Sequence, residues 1–443
     1  MRAFWILIIA IIITLPGQAF ASQPGSFDPA QATETYLSQV TGEARAKSDA
    51  YFEGNYQLDA VDAAVSIGAA LLLLFLGIAR RLRDWAQGWT RVSALQTILF
   101  TAAYVLLTTL LTLPFVYYRE FVREHAYGLS NQSLEDWASE YATGFAVGLI
   151  GTSLFVAVLF AVVRRTAQWW AYGAMIAVAF AAFSITISPV YLAPLFNTYK
   201  PMDDSPLKEQ ILAMARANGI PADNVYQFDA SRQSKRISAN VSGLFGTTRI
   251  SLNDNLLNRT SPEEVRAVMG HEMGHYALNH AYKFLAFMAI VLSIGFFFVG
   301  TLHRGLIALF GRVWGVNGRG DLAGLPALLA AVTLVFYLMT PVFNGLTRMQ
   351  EIEADIFGLN AAREPDGFAR VALKLSEYRK LDPTWWEEAL FYTHPSGRAR
   401  ITMAMRWKAE HLDPMFTGSW PHPLSYQQDR LAPWPPAKAA PAP

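Results

Sequence analysis

The amino-acid sequence predicts a mainly α, polytopic helical membrane protein of six to seven spans, with a water-exposed domain that carries a small β element. Three observations lead there. The 443 residues are 53% hydrophobic and only 16% charged, and their mean hydropathy is +0.22, which is the composition of a membrane protein and not of a soluble enzyme. Six uncharged apolar runs recur along the chain. Between the fourth and the fifth lies a polar insert with short β-branched pieces around glycines. A net charge of +1 suggests no nucleic-acid partner. With no cysteine, disulfides, thiol nucleophiles and Cys-ligated metals are excluded, so any metal site must use His and carboxylate.

In chain order, residues 1–21 have Arg2, an apolar core and then Ala19-Phe20-Ala21, the form of a signal peptide or, uncut, an N-terminal anchor. Residues 22–60 form a polar N-terminal segment expected to be mostly helix. Residues 61–199 read as a membrane domain with four spans, Ala63–Ala79, Val92–Tyr118, Tyr141–Val163 and Thr166–Tyr199. Residues 200–410 follow as a second domain that includes two more spans, Phe284–Leu302 and Leu322–Thr347. Pro114, Pro189, Pro194, Pro326 and Pro341 lie toward the ends of these runs, where breaking a helix costs least. In the insert Lys200–Lys283, an amphipathic stretch Pro206–Ala217 precedes Val225–Phe228, Asn240–Phe245 and Thr248–Leu252, which suggest a small hairpin or sheet. Its edge could hold an extended peptide through main-chain hydrogen bonds. Residues 411–443 are a Pro/Ala-rich tail, expected to be disordered.

The chemistry concentrates in Ala267–His280, where His271, Glu272 and His275 form H-E-x-x-H. On a helix, residues four apart share a face, so two imidazoles can reach one metal ion with Glu272 beside them. That is the pattern of zinc peptidases, and it implies one Zn2+ per chain. Ser261-Pro262-Glu263-Glu264 supplies the helix start, with Ser261 and Glu264 as a capping box and Pro262 at the first helical position. A chance match is the competing explanation.

Such a site needs a third protein ligand. Glu351 and Asp355 are four apart in Arg348–Asp355 and share a helical face, so Asp355 could accept from the far nitrogen of a ligand histidine. Spacing alone does not choose Glu351 over Glu353, and a row of acids is also an ordinary solvated face. Two apolar runs separate the metal helix from Glu351. Two crossings return the chain to its starting side, so the two halves of the site can meet.

The sequence also resembles a known family, the type I CAAX prenyl endopeptidases, membrane zinc metallopeptidases related to the bacterial heat-shock protease of the inner membrane. The resemblance spans roughly residues 56 to 400: Tyr56-Gln57-Leu58-Asp59, Phe121-Val122-Arg123-Glu124 with Gly128, Ala193-Pro194-Leu195-Phe196, Ser234-Lys235-Arg236 leading to Asn240, His271–His275, Glu351–Asp355, and His394-Pro395 with Arg400. It implies that Glu351 is the third ligand, that Asn240 and His394 line the cleft and stabilise the tetrahedral intermediate, that Arg400 binds substrate, and that the spans form a barrel around a chamber. Without it, Asn240 reads as a turn residue and His394 as a loop residue before Pro395. Ser238-Ala239 departs from the more polar pair that often precedes the Asn in the family.

The function expected is metal-assisted hydrolysis of peptide bonds, with Glu272 as the base, on a prenylated or membrane-anchored peptide or protein in the lipid bilayer. Two other readings stay open: a quality-control metallopeptidase with no prenyl requirement, and a transporter or inactive membrane scaffold. The orientation expected is a bacterial inner membrane protein with its catalytic domain on the periplasmic side. Arg80, Arg81, Arg83, Arg91, Arg164, Arg165, Arg304, Arg312 and Arg319 gather in the loops on one side, against Arg45, Lys47, Arg119 and Arg123 in the short segments opposite. The family's eukaryotic members place their zinc site in the cytosol, so charge and resemblance disagree.

Overall fold

The computed structural model describes residues 27–242 and 248–412. The signal or anchor segment, Gly243–Phe245 of the expected β element and the Pro/Ala tail beyond residue 412 lie outside them. Helix α1 (Pro29–Leu37) is followed by α2 (Gly42–Phe75), α3 (Ile78–Trp89), α4 (Ser93–Tyr117), α5 (Leu134–Arg165) and α6 (Trp169–Ile187). The insert contributes β1 (Tyr199–Pro201), α7 (Pro206–Ala217), β2 (Val225–Phe228), β3 (Ala239–Ser242), β4 (Arg249–Asn253), α8 (Asp254–Arg259) and α9 (Pro262–Ala277). Two long helices, α10 (His280–Trp314) and α11 (Leu325–Ala362), precede α12 (Pro365–Leu375), α13 (Trp385–Phe391) and α14 (Gly397–Leu412).

Six of these, α2, α4, α5, α6, α10 and α11, belong to helical stretches long and apolar enough to cross a membrane. Each packs against two neighbours in the order α2, α4, α5, α6, α10, α11 and back to α2, which closes a ring. The ring is packed at one end. There Leu73 and Leu74 of α2, Phe100 of α4, Phe160 and Val163 of α5, Trp169 of α6, Trp314 of α10 and Leu325 of α11 form one buried core. Toward the other end the spans meet only their lateral neighbours: α6 buries Trp169, Gly173 and Ala174 and nothing beyond. A helix apolar all round and buried on neither face suits lipid outside and a chamber inside.

The span boundaries differ from the sequence expectation in three places. One helix, α2, runs through residue 60, and the first apolar run breaks at Gly77, whose φ of 68° is left-handed, so Ile78 and Ala79 belong to α3. The fourth run is one candidate span but not one regular helix. After Ile187 it passes through a π turn (Ser188–Leu192) and a 3-10 turn (Ala193–Leu195), where Pro189 and Pro194 remove backbone donors. The sixth continues through Pro341 to Ala362, because past Thr347 the helix buries Gln350, Glu351, Ala354 and Asp355 against the water-exposed domain.

The β element is a four-stranded sheet, in the order β1-β2-β4-β3, and so more than a hairpin. β2 and β4 are parallel and the outer pairs antiparallel, with Asn240 opposite Ser251. One face of it packs on α7, α9 and α11 through Ile211, Val225, Ile250, Leu252, Met269, Met273 and Phe357. β3 is left as an edge strand beside the metal helix.

Candidate active site

The H-E-x-x-H motif lies in the second half of α9, with His275 in its last turn. The Ser261 hydroxyl accepts from the Glu264 amide at 3.4 Å, and the Glu264 carboxylate accepts from the Ser261 amide at 2.8 Å. Buried Glu264 is further held by Lys374 at 2.6 Å and Arg370 at 3.2 Å. Met269 and Met273 anchor the opposite face of α9 in the core beneath the sheet, which leaves His271 and His275 to face α11.

Glycine lets α9 and α11 approach closely. A Cβ on Gly358 would stand 2.7 Å from the His271 amide nitrogen, one on Gly270 2.9 Å from the Gly358 carbonyl, and one on Gly274 3.1 Å from the Ala354 Cα. At that separation Glu351 reaches both histidines. Its Oε2 lies 3.1 Å from His271 Nε2 and 3.6 Å from His275 Nε2, and the two Nε2 atoms are 3.2 Å apart. One ligand atom from each of these three residues falls within 4.8 Å of the others, so the group could hold a metal ion. Glu351 Oε2 is buried and has no hydrogen-bond partner of good geometry.

Each histidine has an outward partner. His271 Nδ1 is 2.7 Å from Asp355 Oδ1, and fully buried Asp355 also accepts from Arg400 Nε at 3.0 Å and Nη2 at 2.6 Å. Arg400, expected at the substrate, thus spends two of its three guanidinium nitrogens on Asp355, which leaves Nη1 alone for a peptide. His275 Nδ1 is 2.9 Å from His280 Nδ1, and His280 Nε2 is 3.1 Å from Glu353 Oε2. His280 is a further member of the site that lies outside the H-E-x-x-H pattern. Its signal was Asn279, which adopts a left-handed φ of 57° and turns the chain between α9 and α10, so that His280 faces back.

Glu272 and His394 line a cavity of about 200 Å³ together with His271, Ser238 and Ala239. Burial pushes the Glu272 carboxyl above its usual range, against the pull of His271 and His275. His394 Nε2 is 3.3 Å from Glu351 Oε2, and Thr393 Oγ1 is 2.9 Å from His394 Nδ1. Burial holds His394 down to about 3, with Arg379 and Arg400 adding to the effect, so the ring is neutral near pH 7. On the other side of the cluster, a cavity of about 430 Å³ is lined by Val241, Ser242, His275, Glu351, Ile185 and Tyr282, among others. β3 borders both. Ser238 and Ala239 face the first cavity and Val241 and Ser242 the second, with Asn240 between them.

The motifs at Tyr56, Phe121–Glu124 and Ser234–Arg236 tie α2 to the segments around the site. Tyr51 donates to Glu124 at 2.5 Å, Arg236 donates to the same carboxylate at 2.9 Å, and Arg123 donates to Asn55 at 2.6 Å. Tyr56 stacks on Phe391 with ring centroids 4.2 Å apart, three residues before His394.

Comparison with known proteins agrees with this layout. The model of Peptidase family M48 matches residues 201–408, and that of the CAAX prenyl protease N-terminal region, described as five membrane helices, matches residues 29–198. Among the described residues, that second stretch holds four candidate spans, one fewer than the description names. An uncharacterized metalloprotease, YhfN, of Bacillus subtilis (strain 168) is 31% identical over 347 residues, which is 77% of this chain and 81% of that one. A CAAX prenyl protease 1 homolog of Arabidopsis thaliana is 30% identical over 315 residues, 68% of this chain and 71% of that one. The crystal structure of S. mikatae Ste24p shares the fold, with a TM-score of 0.70 at 20% identity, covering 85% of this chain and 95% of that one. The chain therefore belongs to peptidase family M48, as a multi-pass membrane metalloprotease of the CAAX prenyl endopeptidase type.

Proposed function

We propose that this protein is a zinc endopeptidase acting on membrane-anchored or lipid-modified proteins, with His271, His275 and Glu351 as ligands and Glu272 as the base. The observation that carries the metal assignment is the donor spacing. Atoms about 2.0–2.1 Å from one tetrahedral Zn2+ stand roughly 3.3–3.4 Å apart, and the three donor separations here are 3.2, 3.1 and 3.6 Å. Glu351 Oε2, buried without a hydrogen-bond donor, is the kind of atom a cation satisfies. Bound there, Zn2+ would supply a Lewis acid that draws the pKa of water toward about 7.

The protein's own groups do the rest. The Glu272 carboxylate takes the proton of the attacking water and returns it to the leaving amine, and its raised pKa suits both transfers. In the tautomer in which the Thr393 hydroxyl donates to Nδ1, neutral His394 carries its proton on Nε2 and can donate it to the carbonyl oxygen as charge develops. A good donor of that kind contributes about 2.7–4 kcal/mol. Asn240, on the edge strand beside the cluster, aligns the peptide. Asp355 fixes the His271 tautomer by accepting from Nδ1.

Mass spectrometry of products from a mixed peptide pool, some members farnesylated, tests this reading with Glu272→Gln as the control. The variant should retain zinc and lose turnover by about 10²–10⁴-fold; near-normal turnover would overturn the mechanism. The relatives named for CAAX proteolysis favour a prenylated substrate. A quality-control peptidase would instead cut farnesylated and plain peptides equally fast. Membership of a metallopeptidase family sets aside the transporter or scaffold reading.

For orientation, the arginine count favours the periplasmic side for the metal end. α3, with Arg80 and Arg81 exposed and Trp85 and Trp89 at the surface, has the form of an interfacial helix at the opposite end. Single cysteines at exposed Gln87 and Glu377 report on it, since the chain has no other thiol. A membrane-impermeant reagent on intact cells should label the Glu377→Cys chain. Labelling of Gln87→Cys alone would reverse the assignment.

A further inference from the structure

At the end of the ring away from the metal cluster lies a cavity of about 470 Å³ that the peptide chemistry does not use. Its wall takes Arg83 and Gln87 from α3, Ser93 from the start of α4, Arg164 from the end of α5, and Asn317 and Asp321 from the turn between α10 and α11. Two spans meet water here, since α4 begins at Ser93 and α5 closes at Arg165. The cavity therefore stands at the depth of lipid headgroups. Exposed Trp85 and Trp89 on α3 are the residues of a membrane interface, and Val92 and Leu95, either side of Ser93, are exposed as well.

The charges at this end are unequal. Residues 76–95, 160–170 and 300–325 contain nine arginines and two aspartates, and both aspartates are bound to Arg83: Asp84 accepts from its Nε at 3.0 Å and Asp321 from its Nη1 at 2.7 Å. Asp321 is further occupied by the amides of Asn317 at 2.7 Å and Ala323 at 2.9 Å. Half-buried Arg164 shares in neither. It donates to the Gly320 carbonyl at 3.3 Å and the Ser93 carbonyl at 3.4 Å, with its guanidinium 5.7 Å from the centroid of the Phe160 ring. Among the described residues no carboxylate stands within ion-pair distance of it, and Asp321 acts on it from farther off. Two carbonyls and a ring hold a guanidinium in place without neutralising it.

We infer that this cavity binds the phosphate of an anionic lipid headgroup, with Arg164 as its cation. The inference does not depend on the peptidase reading. A guanidinium takes a phosphodiester through paired hydrogen bonds, and basic pockets between spans are where anionic headgroups settle. The volume lies within the roughly 300–1,000 Å³ of ordinary ligand pockets, and Gln87, Ser93 and Asn317 offer polar side chains to the rest of the headgroup. A free anion would find the same cation. A lipid would in addition cover Val92 and Leu95 with its chains, and that favours the lipid.

Native mass spectrometry of the whole protein in a non-ionic detergent tests this, with phosphatidylglycerol, phosphatidylcholine and inorganic phosphate as probes. The first phosphatidylglycerol should bind about tenfold to a hundredfold tighter than phosphatidylcholine, the range for a charge-assisted hydrogen bond. Arg164→Gln should erase that preference and Arg164→Lys should keep part of it. Arg304→Gln, which takes the same charge from an exposed site outside the cavity wall, should leave it intact. Ser93→Asp covers the case in which Arg164→Gln does not fold: it leaves Arg164 in place, puts an acid in the first turn of α4, where acids are favoured, and should abolish the preference by supplying Arg164 with a carboxylate. Zinc content should be unchanged in all four variants. Equal binding of the two lipids would overturn the inference, as would a preference that survives both Arg164→Gln and Ser93→Asp. Equal losses in Arg164→Gln and Arg304→Gln would mean that the diffuse field of the arginines attracts the lipid and that no site exists. Displacement of phosphatidylglycerol by inorganic phosphate at equal concentration would make a free anion the ligand, and the lipid assignment would fail.

Discussion

The two ends of the helical ring are built on different principles. At the far end, large apolar side chains from all six spans interlock, among them Phe100, Phe160, Trp169 and Trp314. At the metal end, the helices are fixed by a few close backbone approaches and by polar pairs, buried or half-buried: Gly358 against His271, Asp355 between His271 and Arg400, and Arg236 and Tyr51 on Glu124. Apolar packing is spread over many contacts of roughly 0.1–0.2 kcal/mol each, so it tolerates exchange and makes no demand on angle. A metal site needs its donors within about 0.5 Å. Damage at the far end should therefore be read in stability, and damage at the metal end in metal content and turnover.

The largest effect expected is that of Glu351→Ala, which removes a donor from the cluster. Zinc per chain, measured on purified protein, should fall further than the about 10–100-fold in affinity that loss of an outer partner costs. Asp355→Asn should stay within that range. Zinc retained in full by Glu351→Ala would return the third ligand to the neighbouring acids.

Gly358→Ala is next, and it tests the close crossing directly. The added methyl would meet the His271 backbone at 2.7–2.9 Å, so α9 and α11 must separate. A shift near 1 Å costs about 10² in rate, with helix content by circular dichroism unchanged. Gly305→Ala, in the far half of α10 with nothing within 4 Å of the added methyl, is the control and should leave zinc and turnover as they were.

At the far end, Phe160→Ala should lower stability by about 3–5 kcal/mol through the cavity it leaves, while the folded fraction keeps its zinc. Loss of zinc in that folded fraction would show that the two ends are coupled.

The same contrast decides what the sequence could reveal. Spans are legible because apolar runs respond to one property, and the capping box of Ser261 and Glu264 because it is local. The β pieces could be located, but not their order β1-β2-β4-β3, since the parallel pairing of β2 with β4 joins residues some 25 apart. H-E-x-x-H could be seen because helical periodicity fixes it. Pairings across elements could not: nothing near Asp355 says that Arg400 turns to it. The continuation of α11 past Thr347 was hidden because the apolar run ends there and the helix does not.

The smallest effect expected concerns the unequal support of the two histidines. When each ring offers Nε2 to the metal, its Nδ1 carries the proton. His271 then donates to Asp355, which is fully buried and clamped by Arg400. His275 donates to His280 Nδ1, and His280 in turn donates from Nε2 to Glu353, which is 41% exposed and shared with Lys283 at 2.5 Å. A carboxylate in water's reach, one ring removed from the ligand, holds a tautomer less firmly than a buried one in direct contact. Glu353→Gln should therefore weaken zinc binding by less than about tenfold, below the lower bound for Asp355→Asn. His280→Phe, which keeps the ring and removes both nitrogens, should cost more than Glu353→Gln, because the His275 Nδ1 proton is then left without an acceptor. Competition with a chromogenic chelator measures both. Equal losses for Glu353→Gln and Asp355→Asn would mean that the exposed chain supports its ligand as firmly as the buried one, and that burial is not what distinguishes them.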